Sequence, residues 1–289
     1  MVRCDRGAAG SAARHGGAAM SARHFGELEV IARTPAGKAV SPVPLLFIHG
    51  AYTGAWCWDE HFLPYFATAG FDCYALSLSG HGASRRRGGL DSFSIEDYVR
   101  DVSEVVAALP QAPALIGHSM GGMVIQKYLE QADVPAVALL CSVPPQGLMG
   151  SALGLMFNKP HLLGNLNQML AGSQPDPESL REALFHQPVD DDALMRYYHL
   201  CQPESHRAVW DMTLFNLPQP SRMHRPPMLI VGAEHDHLIP PAQVAMTAAL
   251  YGLEATILPG LGHGVMLERD WQSVAEMLLE WLTVQLVEV

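Results

Sequence analysis

Six short apolar runs recur along this chain, and stretches of helical periodicity fill the gaps between them. The runs are Leu45–Ile48, Asp72–Leu76, Ala114–Ile116, Val137–Cys141, Met228–Val231 and Ala255–Leu258. A short continuous apolar run, without alternation, is what a strand needs when both of its faces are covered. Leu28–Ala32 reads as an earlier strand, with a turn after it at Ala36-Gly37. In the stretch 94–109, Ile95, Tyr98, Val99, Val102, Val105, Val106 and Leu109 fall on one helix face. Ser94 can cap that helix and Pro110 ends it. Further helices are expected from Met120 to about Gln131, from Pro241 to Gly252, and after Asp270, where Trp271, Val274, Leu278 and Leu282 form one stripe. Strands alternating with helices predict an α/β fold with a mostly parallel central sheet and helices on both faces.

One stretch breaks the alternation. Residues 144–217 contain no strand pattern but hold many Leu and Met residues, and they read as a helical cap inserted between two core strands. The core is then 24–143 together with 218–289. Residues 1–23 are rich in Ala, Gly and Arg and lack an apolar stretch long enough for a signal-peptide core. They read as a disordered leader, with Met20 an alternative start and a transit peptide the other reading.

Hydrophobic residues make up 49% of the chain and charged residues 16%, which is enough apolar material for a large buried core. A formal net charge of −11 argues against nucleic acid and anionic membrane surfaces as partners. No run of 18 apolar residues occurs, so no integral membrane association is expected. The five cysteines are widely spaced, odd in number and without a C-x-x-C pair, which points to a reduced, cytoplasmic setting. The oligomeric state is not legible.

The residues with chemistry cluster where predicted strands end. Gly117-His118-Ser119-Met120-Gly121 joins a strand to a helix. A nucleophile at such a turn sits in a strained backbone conformation, and small residues two positions to either side keep the turn free of clashes. The turn also aims N–H groups at the helix N-terminus towards the reacting centre. His49-Gly50-Ala51 follows the strand Leu45–Ile48, so the Ala51 and Met120 N–H groups are candidates for an oxyanion hole. Asp236 follows the strand ending at Val231, and His263 lies in Gly260-Leu261-Gly262-His263-Gly264 after the strand Ala255–Leu258. The order Ser119, Asp236, His263 fits a nucleophile, acid and base on a sheet of this kind. Glu234 is the rival acid. The segment after Cys141 offers no carboxylate. His235 and His237 flank Asp236, but no H-E-x-x-H string occurs, and no metal is expected.

On these motifs the chain resembles the α/β-hydrolase superfamily, over roughly residues 25–287. The matching pieces are His49-Gly50, the G-H-G-A-S segment at 80–84, the G-H-S-M-G-G segment at 117–122, G-x-x-x-D-x-x-x-P from Gly232 to Pro240, and G-x-G-H ending at His263. The stretch 49–58, HGAYTGAWCW, is similar to the start of plant methylesterases and hydroxynitrile lyases. Those lyases carry Lys after the histidine and aromatic C–C-bond hydrolases carry Trp, whereas Gly264 stands here. Haloalkane dehalogenases have an Asp nucleophile where this chain has Ser119. The resemblance implies a serine hydrolase of esterase or lipase type, needing no cofactor.

The expected function is cleavage of small-molecule carboxylic esters, of short to medium chain or lipid-like, through an acyl-enzyme. Tyr52, Trp56, Met149, Met156 and Trp210 are candidates to line the substrate pocket, Trp56 having a packing role as its alternative. An acyl-thioesterase and a non-catalytic ligand-binding member of the fold are the other readings.

Overall fold

The six apolar runs and the early strand all take extended conformation in the computed structural model, which describes residues 19–85, 89–170 and 176–288. A hairpin of β1 (Ala19–Phe25) and β2 (Leu28–Thr34) comes first. Then β3 (Leu45–Ile48) leads to α1 (Trp56–Asp59) and α2 (Phe62–Thr68), and β4 (Cys73–Leu76) leads to α3 (Ile95–Ala108). Next, β5 (Ala114–His118) runs into α4 (Met120–Tyr128). After β6 (Val137–Leu140) come five helices, α5 (Met149–Asn158), α6 (Pro160–Leu170), α7 (Pro177–Leu184), α8 (Asp191–Leu200) and α9 (His206–Trp210), the last continuing into a π-helical turn at Asp211–Phe215. The chain returns to the sheet with β7 (Met228–Ala233), α10 (Pro241–Tyr251), β8 (Thr256–Leu258) and α11 (Trp271–Leu286).

The strands form one sheet in the order β1-β2-β4-β3-β5-β6-β7-β8. The first two junctions are antiparallel and all others parallel. Side chains of the central strands alternate between two separate cores. Leu46, Ile48, Leu115, Val137 and Leu139 join the core under α3, α4 and α10, while Leu45, Phe47, Ile116, Ala138 and Leu140 join the core under α1, α2 and α11. Both sets are apolar because both faces are covered. Burying each such side chain contributes about 1.5–3 kcal/mol.

Local signals hold where they had a physical cause. Ser94 and Asp97 form a reciprocal capping box at the start of α3. Gly252 ends α10 in the left-handed conformation (φ 75°). Val274, Leu278 and Leu282 are fully buried on one stripe of α11. Three expectations need correction. β8 is not covered on both faces: it is the sheet edge, and Thr256 and Ile257 are exposed. α4 stops at Tyr128 rather than near 131. Residues 19–23, assigned to the leader, belong to β1, whose seven-residue register with β2 supplies the backbone pairing that composition alone does not reveal. The rest of that segment, 1–18, lies outside the described residues.

Between β6 and β7 the described residues contain no strand, as expected of 144–217. No helix among the described residues is long and apolar enough to cross a membrane.

Candidate active site

The tight turn from β5 to α4 forces Ser119 to φ 52° and ψ −118°, in the positive-φ region that a residue with a side chain avoids. The surroundings enforce this. A Cβ on Gly117 would lie 2.8 Å from the backbone of Gly121, and one on Gly121 would lie 2.5 Å from the His49 carbonyl oxygen and against that of Ile48. The two glycines are thus required by close packing of backbone on backbone.

His118 and His49 are fixed in the neutral form beside this turn. Burial pushes His118 well below the usual histidine range, and His263 nearby adds to the effect. A neutral His118 donates from Nε2 to the His263 carbonyl at 2.9 Å. Burial likewise lowers His49 to about 3. Its Nε2 accepts from Leu78 N (3.0 Å), so its Nδ1 carries the proton and donates to the Gly50 carbonyl (2.8 Å), shaping the turn that precedes Ala51. Among the described residues neither the Ala51 nor the Met120 backbone N–H has a hydrogen-bond acceptor.

Asp236 is buried at the end of β7. Its Oδ1 accepts from Leu238 N and Ile239 N, both at 2.8 Å, and its Oδ2 faces His263 Nδ1 at 2.7 Å. Two backbone donors leave the carboxylate no other rotamer. Glu234, the rival, is half exposed and accepts from Gly260 N at 2.9 Å, away from His263. His263 is only 3% exposed, and with Nδ1 engaged its Nε2 is the ring nitrogen left for a hydroxyl. Ser119 and His263 line the same cavity, without a mutual hydrogen bond. Such contacts commonly tighten only when substrate binds.

That cavity measures about 610 Å³. It lies between the Ser119 turn and the helical insertion, which contributes Leu155, Leu162, Leu180 and Leu184 to its wall. No Asp, Glu, Lys or Arg is among the described lining residues. Of the sequence candidates, Tyr52, Met149 and Trp210 line it. Trp56 and Met156 do not. Trp56 instead stacks on Tyr197 at 5.8 Å, and Met156 points to solvent with 49% of its surface exposed. Gly264 packs against α7, and a Cβ there would lie 3.2 Å from Leu184 Cβ. A side chain at the position following the histidine would therefore press on the end of α7.

Of the buried carboxylates that the sequence reading did not single out, two tie the insertion to the core. Glu204 in the insertion sits 3.0 Å from His81 of the core and accepts from Tyr98 Oη at 2.7 Å. Burial alone would discharge both partners. Each nonetheless favours charge on the other, which raises His81 and lowers Glu204, although the two facing atoms are imperfectly aligned for a hydrogen bond. Glu268 accepts from the backbone of Gly262, next to His263. The only sequence signal for Glu268 is a charge directly after the apolar run Val265-Met266-Leu267. Among the described residues, Cys141, Asp236 and His263 are the one group with metal-ligating atoms close together, within 4.8 Å. His235 and His237 are not part of it, and His235 stacks on His186 with ring centroids 3.6 Å apart.

Comparison with known proteins agrees with this architecture. The profile of the alpha/beta hydrolase family matches residues 45–277. A bovine (Bos taurus) protein phosphatase methylesterase 1 is 34% identical over 119 residues, covering 39% of this chain but 31% of that protein, so the match spans about a third of its length. The pFDCC methylesterase MES16 of Arabidopsis thaliana is 26% identical over 218 residues, covering 70% of this chain and 80% of that one. Among solved structures, the esterase EaEST from Exiguobacterium antarcticum superposes with a TM-score of 0.68 at 17% identity, covering 89% of this chain and 96% of that one, a likeness of fold alone. With the profile spanning most of its length and the sheet order to match, the chain belongs to the alpha/beta hydrolase family.

Proposed function

We propose that this protein is a serine-dependent carboxylic-ester hydrolase acting on neutral, apolar esters of short to medium chain. The observation that carries the reading is the strained Ser119 sharing one cavity with a buried, paired Asp236–His263 couple. Ser119 Oγ attacks the ester carbonyl while His263 Nε2 takes its proton. Asp236 holds the imidazole in the required tautomer and stabilises it when charged. The unpartnered N–H groups of Ala51 and Met120 receive the oxyanion, each lowering the barrier by about 3–4 kcal/mol. The tetrahedral adduct collapses, the alcohol leaves with the proton from His263, and water then hydrolyses the acyl-enzyme by the same route. Residues 144–217 serve as a cap whose leucines form the acyl wall. No step calls for a cofactor.

The uncharged cavity favours an ester over an acyl-CoA thioester, whose phosphates would find no Lys or Arg on the described wall. The test is a fluorophosphonate label with a nitrophenyl ester series and acyl-CoA substrates. Labelling at Ser119, turnover of the esters, and loss of both in Ser119→Ala are expected. Undiminished ester turnover in Ser119→Ala refutes the assignment. A thioester preferred over every ester refutes the substrate class.

A further inference from the structure

Glu268 is 1% exposed and makes three hydrogen bonds to backbone N–H groups. Oε1 accepts from His186 N at 2.6 Å and from Gly262 N at 2.7 Å, and Oε2 accepts from Gln187 N at 3.2 Å. Two of these donors follow α7 in the helical insertion. The third immediately precedes His263. On the other side of His263, Gly264 N donates to the Leu184 carbonyl at 2.7 Å. The residues before and after the imidazole are therefore both tied to the end of α7. The fit is close, since a Cβ on Gly262 would lie 2.7 Å from His186 N and 2.8 Å from the Leu184 oxygen. Leu180 and Leu184, on that same helix, line the cavity.

We infer that Glu268 is a positioning residue that joins the His263 loop and the end of α7 into one unit, coupling the placement of the proposed base to the shape of the acyl wall. This rests on the reading of His263 as general base. Charge-assisted hydrogen bonds to a buried carboxylate are about twice as strong as neutral ones, so removing the charge loosens the tie between the His263 loop and α7. A misplaced base slows the chemical step, whereas an acetyl group offers less surface to the acyl wall than an octanoyl group, so its binding should change least.

The experiment compares wild type, Ser119→Ala, Glu268→Gln and Gly262→Ala. It reads fluorophosphonate labelling of Ser119, kcat and KM on nitrophenyl acetate and octanoate, and thermal midpoints. Glu268→Gln is expected to lose about tenfold to a hundredfold in kcat per labelled site on acetate, with KM within about twofold, and to raise KM for octanoate further. Gly262→Ala keeps the carboxylate but drives a methyl between loop and helix, and the same split is expected. A lowered midpoint with kcat unchanged in both variants overturns the inference, leaving Glu268 a purely structural group. So does failure of both variants to fold while Ser119→Ala folds normally. Wild type that does not label at Ser119 strikes the underlying reading instead, a result distinct from labelled wild type beside unaffected variants.

Discussion

Replacing Asp236 by Asn exchanges one carboxylate oxygen for an NH2 group at almost constant volume, and the surroundings decide which way that group turns. Oδ1 accepts from two buried backbone donors, Leu238 N and Ile239 N, each at 2.8 Å. If the NH2 turned towards them, two donors would lose their acceptor, at about 1–3 kcal/mol each. The amide therefore keeps its oxygen on the backbone and presents NH2 to His263 Nδ1, 2.7 Å from the present Oδ2. A donor there obliges Nδ1 to accept, so the imidazole proton moves to Nε2, the atom proposed to receive the proton of Ser119. The base is then in the wrong tautomer. The comparable substitution in a Ser-His-Asp protease lowers kcat by about 10⁴-fold, equivalent to about 5.5 kcal/mol, and a loss of that order is expected here. The assay is kcat on nitrophenyl acetate for wild type and Asp236→Asn, with thermal midpoints to show that the fold is kept. A kcat within tenfold of wild type, in folded protein, refutes the reasoning.

Three further perturbations follow from the packing. Gly121→Ala sets a methyl against two strand-end carbonyl oxygens, and since backbone cannot yield as a side chain can, a loss of at least about 3 kcal/mol in stability is expected by chemical denaturation. Leu162→Ala, at a buried position on the cavity wall, costs about 2–3 kcal/mol, and the room it opens shifts the best substrate in a nitrophenyl ester series towards longer or bulkier acyl groups. Glu204→Gln leaves His81 buried without its counter-charge and costs about 3 kcal/mol near neutral pH. The same pair sets a pH dependence. The raised His81 contributes stability that is full in acid and lost as pH climbs through its folded value, and the lowered Glu204 contributes stability lost as pH falls through its own. Wild type should therefore show a stability maximum between the two, and the Glu204→Gln profile should lose the alkaline limb that the raised His81 gives wild type, in denaturation series across pH.

How much was legible in advance depended on whether a position answers to its neighbours in the chain or to distant ones. Leu45–Ile48 and Val137–Leu140 must be apolar at every position because both faces are covered, and that requirement is visible in a run of four letters. Gly117 and Gly121 announce the Ser119 turn because any side chain there strikes backbone. β8 misled because its apolar letters occur on an edge strand that the sheet covers less than its neighbours. Met156 misled because α5 has no charged residue on any face, so its sequence does not reveal which side turns towards the cavity. Glu268 stayed hidden because its partners are main-chain N–H groups, two of them about eighty positions away, and a bond to backbone leaves no mark on the partner's residue type.

Hydrolysis of an ester turns a neutral molecule into an anion. In this protein that anion would be released into a chamber with no Lys or Arg on its described wall, within a chain of net charge −11. Burying a carboxylate without a counter-charge is strongly unfavourable. On the proposed reading, a chamber suited to an uncharged ester would hold the acid formed from it weakly, so little inhibition by free product would be expected.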